Sequence, residues 1–159
     1  AALATSAVRL IQNAAPDDGQ ESSVRLGLQA LSPQLDGVVV ALADQPLIDA
    51  ADIRALITAF CERGDKLMLV PRVTVLDGQQ VPGNPVLVSA ELCRARIDAD
   101  DAGMGRRWRQ QHPELIAWLD TNNSHYATDL DTPDDVQRFE QQTGQVLRWP
   151  VDDPLNRGR

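Results

Sequence analysis

Lysine is almost missing from these 159 residues: Lys66 is the only one, and every other basic side chain is an arginine. A phosphate-binding loop that depends on lysine is thereby excluded. Arginine remains the better planar fork for phosphate. Positive charge is short overall, with 15 Lys+Arg against 23 Asp+Glu and a formal net charge of -8. Non-specific binding to nucleic acid or to an anionic membrane needs the opposite sign. A partner that carries its own cation, such as a metal-chelated phosphate, suits this balance. Cysteine is also scarce. Cys61 and Cys93 lie far apart and outside any CxxC, so no disulfide framework is implied. Both are expected to be buried thiols of a reducing, cytoplasmic compartment. No apolar run approaches the ~18 residues of a membrane span. Ala1 to Leu10 lacks the basic start and apolar stretch of a secretory signal. No Gly-x-Ser-x-Gly, Cys-His pair or GxGxxG occurs. Neither His112 nor His125 has Cys or His at zinc-ligand spacing, so both are expected to be structural.

What is present suits one folded domain: 43% of residues are hydrophobic and 24% charged. A chain of this size buries roughly 70% of its unfolded surface. Ala7 to Gln12 is a short strand candidate, and the polar stretch Asn13 to Gln20 reads as a loop. Ser22 and Ser23 open an amphipathic helix with Val24, Leu28 and Leu31 on one face. Val38 to Ala43 is a continuous apolar run of strand length. Without alternation it predicts a central parallel strand covered on both faces. Asp49 or Asp52 caps a helix to about Cys61, and Leu67 to Val70 is the next buried strand, ended by Pro71. Val73 to Gly83 predicts a hairpin or excursion around Asp77-Gly78. Asn84 to Val88 is extended, Ser89 opens a helix to Ala95, and Arg106 to Gln111 is helical. Leu115 to Leu119 is a strand and Tyr126 to Leu130 is extended. Thr132-Pro133-Asp134-Asp135 starts a helix to about Thr143, with Gly144 as its stop. Residues 1–145 form the domain and 146–159 a tail. The class is α/β with a mostly parallel sheet, whose ligands sit beyond the carboxyl ends of the strands.

Several residues in those end loops can carry chemistry. Asp44 follows a buried strand and precedes Gln45-Pro46. It is placed to hold a metal, or else to satisfy local backbone N–H groups. Asp129 and Asp131 flank Leu130 in an extended segment, and one of them can face Asp44. Asp134 and Asp135 need no role beyond helix capping. Gly19 to Gly27 joins a glycine to hydroxyls at a helix start, where backbone N–H groups can meet a base edge or a phosphate oxygen. Gly27 within a helix calls for close packing or ligand approach. Asn84 sits in the rigid turn Pro82 to Pro85. Gly103 to Arg107 joins glycines to guanidiniums and can meet an anion, or can be a flexible loop with a solvated basic face.

The series Asn13, Gly19, Ser22-Ser23 and Gly27-Leu28, then Ala43-Asp44-Gln45-Pro46-Leu47, is continued by Pro71-Arg72 and Gly83-Asn84-Pro85-Val86-Leu87. It ends with Asp101-Ala-Gly103, His112-Pro113-Glu114 and Asp129 to Asp135. In its order and spacing it resembles the MobA-like nucleotidyltransferases, and within them the molybdenum cofactor cytidylyltransferases, over about Arg9 to Gln141. The resemblance implies a Rossmann-like three-layer α/β/α fold of the nucleotide-diphospho-sugar transferase type. It implies transfer of CMP from CTP, or of another NTP's nucleotide, to a phosphorylated pterin cofactor. Pyrophosphate is released and Mg2+ is required. By this resemblance Asp44 and Asp131 are the catalytic metal ligands. Gly19, Ser22, Ser23 and Gly27 bind the nucleotide, with Ser23 reading the base. Asn84, Asp101 and Gly103 lie on the acceptor side. A molybdoenzyme or a maturation factor is the implied protein partner.

The family begins with a strand and a Gly-rich loop, with a lysine soon after, that wraps the triphosphate. No glycine precedes Gly19 in this sequence. The chain is therefore expected to be N-terminally truncated relative to the family and to show little or no catalysis alone. The sheet edge so exposed is expected to be covered by a partner chain or a second copy. The alternatives are a non-catalytic module that binds cofactor or partner, and a guanylyl- or sugar-nucleotide-forming relative.

Overall fold

The computed structural model describes residues 8–147, apart from 33, 76 and 100–102. Five strands make one sheet: β1 (Gly37–Val40), β2 (Met68–Thr74), β3 (Gln80–Pro82), β4 (Val86–Ser89) and β5 (Ile116–Thr121). β5 pairs in parallel along one edge of β2. The other edge of β2 is shared, by β4 against Met68 and Leu69 and by β3 against Arg72 to Thr74, both antiparallel. β1 lies outside β4, antiparallel to it, with Val39 opposite Leu87. Thus β1, β2 and β5 run in one direction and β3 and β4 in the other. The parallel majority is one of strand direction, since β4 intervenes between β1 and β2.

Alternation along the strands gives the sheet two apolar faces. α1 (Gln20–Gln29), α3 (Ala90–Asp98) and α4 (Arg106–Gln111) cover one. There Leu28, Leu92 and Trp108 meet Met68, Val70, Val88 and Ile116. α2 (Ala50–Cys61) covers the other, where Leu56, Phe60 and Tyr126 meet Leu69, Val73 and Leu87. This is the three-layer α/β/α arrangement expected. α5 (Pro133–Thr143) buries Phe139, begins on a Thr132–Asp135 capping box and ends at left-handed Gly144, as its sequence predicts. Among the described residues no helix is long and apolar enough to cross a membrane.

Several local expectations are corrected. Residues 8–12 form no strand and are exposed, because no neighbouring strand satisfies their backbone. β1 is shorter than its apolar run, is half-buried and has β4 as its one partner among the described residues. The all-apolar pattern registers only that both faces meet side chains; it carries no information on edge position. α1 begins at Gln20 with Gly19 as its N-cap, so Ser22 and Ser23 sit inside the helix and do not cap it. β2 continues through Pro71, because the missing N–H falls in the gap between the β4 and β3 pairings. Tyr126 and Ala127, expected to be extended, belong to a 3-10 turn, Ser124–Ala127. Of the two thiols, Cys93 is buried and Cys61 is exposed. The expected tail from Val146 onward falls mostly outside the described residues.

Candidate active site

The turn beyond β1 and the segment before α5 meet at one backbone hydrogen bond, Leu130 N–H to the Asp44 carbonyl at 3.0 Å. That contact joins the Asp44 backbone to Leu130, the residue between Asp129 and Asp131. Gln45 is 6% exposed, and its amide donates to Asp129 Oδ1 at 2.7 Å and to the Tyr126 carbonyl at 3.3 Å. Asp129 is therefore committed to Gln45. Its alternating neighbour Asp131 is exposed and has no side-chain partner among the described residues. Asp44 Oδ1 is buried and accepts no hydrogen bond. A buried carboxylate oxygen without a donor is costly unless something positive completes it.

Whether these residues fit a divalent cation is a question of donor chemistry. Two carboxylates offer hard oxygen ligands, which suit Mg2+ or Mn2+ and not a soft metal. Among the described residues no group of three or more His, Cys, Asp and Glu could hold a metal. A magnesium-type site does not need one: one or two carboxylates suffice, and substrate phosphates and water complete the shell. The orphaned Asp44 oxygen fits as one such ligand, and exposed Asp131, next after Leu130, is available as a second.

The Tyr126 carbonyl is the hub of this region. Besides Gln45 it accepts the Asn84 N–H at 2.8 Å, while the preceding Gly83 N–H donates to the Pro71 carbonyl at 2.8 Å. Tyr126 is in turn anchored from α2, its hydroxyl donating to the Asp52 carbonyl at 2.9 Å. Its pKa is pushed up to about 12, by burial first and then by the Asp52 and Asp49 charges.

Asp52 is a residue that sequence reasoning read only as a possible helix cap. It is the N3 member of a capping box with Asp49, and it does more. Its buried carboxylate accepts from Asn123 Nδ2 at 2.7 Å, from His125 Nδ1 at 2.9 Å and from the Asp49 N–H at 3.0 Å. The ionised acid can only accept, so His125 carries its proton on Nδ1 here. Burial alone would raise the Asp52 pKa. The bonds from His125, Asp49 and Asn123 outweigh it and hold the pKa below the ordinary value. The sign follows: the stabilisation is full above the unfolded pKa of about 3.9 and is lost as pH falls through the lower folded value. Asn123→Ala should cost about 2 kcal/mol near neutral pH, since it removes a hydrogen bond to a buried charge. The deficit relative to wild type should shrink in acid. Urea melts at about pH 7 and about pH 3 would check this, and an equal deficit at both would refute it.

The expected nucleotide segment is ordered by a residue outside it. Asn13 Nδ2 donates to Ser22 Oγ at 2.8 Å and to Ser23 Oγ at 2.9 Å, and Ser22 Oγ donates to the Gly19 carbonyl at 2.7 Å. Gly19 takes φ 89°, a left-handed value that glycine tolerates. Ser23 and Gly27 line an apolar groove of about 410 Å3 between α1 and residues 38–43, which comprise most of β1 and the chain just after it. A side chain at Gly27 would meet nothing within 4 Å, so packing does not explain that glycine. Asn84 lines a second cleft, of about 220 Å3. Gly103 is buried, its carbonyl accepting from Arg96 Nη2 at 3.1 Å. Asp101 lies outside the described residues. His112 packs on the Trp108 ring at 4.8 Å between centroids.

The MobA-like NTP transferase domain family matches residues 1–115. The chain belongs to this family. Its fold agrees with several solved structures. One is the 4-diphosphocytidyl-2C-methyl-D-erythritol synthase of Anaerococcus prevotii, at TM-score 0.63 and 14% identity over 80% of this chain and 65% of that one. Another is Rv0371c of Mycobacterium tuberculosis in complex with manganese, at TM-score 0.56 and 25% identity over 75% of this chain and 59% of that one. A homolog of Rv0371c from Mycobacterium sp. strain JC1 gives TM-score 0.57 and 24% identity over 76% and 56%. This MobA-like chain thus spans less than two thirds of the length of these proteins. No curated protein sequence matches it significantly.

Proposed function

We propose that this chain carries the metal and substrate subsites of a nucleotidyltransferase that moves CMP from CTP to a phosphorylated pterin, the molybdenum cofactor, releasing pyrophosphate. The observation that carries this reading is the buried, unpartnered Oδ1 of Asp44, on a turn that the Leu130 N–H bond ties to the segment carrying exposed Asp131. Family membership supports the reaction class, and the manganese bound by Rv0371c supports the use of a divalent cation. Asp44 and Asp131 would hold Mg2+. Bound there, it would supply charge neutralisation at the reacting phosphate, which nucleotidyl transfer needs more than covalent help. Gln45 fixes the loop that presents Asp44. Gly19, Ser22, Ser23 and Gly27 form the nucleotide side, with the Ser23–Gly27 groove taking the apolar face of a base. Asn84, Asp101 and Gly103 belong to the acceptor side. The phosphorylated pterin and a molybdoenzyme or maturation partner are the finer parts of the reading, and they rest on the motif series.

Calorimetry of Mg-CTP against Mg-GTP on this chain tests the nucleotide half. Mg-CTP should bind at least tenfold more tightly than Mg-GTP, and omission of Mg2+ should abolish the difference. Equal affinity for both would sink the assignment to cytidine, and metal-independent binding would sink the metal site.

A further inference from the structure

Five of the arginines are accounted for by near neighbours. Arg72 and Arg138 pair with Asp120 and Asp135, and Arg9, Arg63 and Arg96 donate to backbone carbonyls. Arg109 has no such partner among the described residues, although it is half-buried. Arg106 lies three positions earlier on α4, which puts both guanidiniums on one helix face. Burial, then the Arg106 charge, lowers the Arg109 pKa from the usual guanidinium value. Two like charges are thus held together, one of them partly out of water, in a protein of net charge -8. Such an arrangement costs stability unless an anion completes it.

The space for an anion is there. Arg106 and Arg109 line the 220 Å3 cleft together with Asn84 and the N-cap Gly105, and Gln20 and Glu21 of α1 form its far wall. Val40, Leu42, Val86 and Val88 supply apolar lining, which lowers the local dielectric and strengthens any charge pairing inside. Among the described residues Glu21 is the one acidic residue in the lining, and no ion pair joins it to either arginine.

We propose that this cleft is a phosphoryl-binding subsite, in which Arg106 and Arg109 hold a phosphate group and Asn84 donates its side-chain amide to the same ligand. Planar guanidiniums bind phosphate oxygens in pairs, and an uncharged amide adds a directed donor without another positive charge. Two sources of the phosphate are chemically equivalent at this cleft: a phosphate monoester on the acceptor, and the polyphosphate tail of the nucleotide. The assignment to either rests on the proposed nucleotidyl transfer; the anion subsite itself does not.

The test uses the full chain and three probes: phenyl phosphate as a simple monoester, inorganic tripolyphosphate, and Mg-CTP. Nitrogen-15 NMR follows the Gly105 amide and the Arg109 Nε–H. Phenyl phosphate or tripolyphosphate should shift both signals saturably, and Arg109→Gln should weaken that binding at least tenfold. Arg109→Gln should also leave Tm unchanged or raise it, because it removes an unpaired charge and breaks no bond. If saturating Mg-CTP leaves the phenyl phosphate affinity unchanged, the phosphate held is the acceptor's. If Mg-CTP displaces it, the phosphate is the nucleotide's. No saturable shift with either anion, or equal affinity in Arg109→Gln, overturns the subsite. A Tm loss of many degrees in Arg109→Gln overturns it too, by making the arginine structural. Asp44→Ala separates this proposal from the nucleotidyltransferase reading. It should weaken Mg-CTP binding and leave phenyl phosphate binding intact, so either proposal can fail alone.

Discussion

Gly83→Ala should destabilise the domain by about 3 kcal/mol or more, a large loss for one methyl group. A β-carbon built at Gly83 would lie 2.2 Å from the Tyr126 carbonyl oxygen and 2.8 Å from its carbon. These are backbone atoms, so no rotamer change relieves the overlap. That carbonyl cannot retreat without loosening its bonds from Asn84 N–H and Gln45 Nε2. The strain therefore reaches the acceptor-side turn and, through Gln45, the loop of Asp44. Thermal unfolding of wild type and variant would measure the loss. A variant within about 1 °C of wild type would mean that the close approach is not a constraint.

On the proposed reading, Asp44→Ala combined with Asp131→Ala should reduce nucleotidyl transfer at least ~10³-fold, since removing both oxygen ligands would leave the reacting phosphate charge unneutralised. Stability should respond differently. Asp44 Oδ1 accepts no hydrogen bond in the folded protein, so Asp44→Ala alone should leave the metal-free Tm unchanged or raise it. Added Mn2+ should raise the Tm of wild type and not of the double variant, because only a binding-competent native state is stabilised by its ligand. Residual activity within tenfold of wild type, or an equal Mn2+ effect on both proteins, would reject the two-carboxylate site.

The sequence makes some of this legible and hides the rest for physical reasons. Thr132 to Asp135 and Gly144 bound α5 through contacts within a few residues, so local chemistry suffices to read them. Asp77-Gly78 marks the β2–β3 turn in the same way, with Gly78 at φ 79°. The reversal of β4 between β1 and β2 has no local signature. Strand direction is settled by where the chain returns, and the run Val86 to Val88 is compatible with either sense. At the site, Asp44 is marked by its place after an apolar run. The engagement of Asp129 by Gln45 is not marked, because the contact spans 84 positions of sequence. The Asp52–Asn123–His125 cluster is hidden for the same reason, spanning 71 to 73 positions. Arg106 and Arg109 look in sequence like a solvated basic face; only the cleft and the lack of a counterion among the described residues set them apart.

The carbonyl of Tyr126 has two lone pairs, and Asn84 and Gln45 engage it together. The loop carrying Asp44 and the turn carrying Asn84 are consequently clamped to a single atom, itself pinned to α2 through the tyrosine ring. The gap between the two is set like the jaws of a caliper locked at one opening. On the proposed reading, donor and acceptor are then selected by span as well as by charge. A molecule with the right phosphate but the wrong reach would occupy one jaw and never present its oxygen to the other.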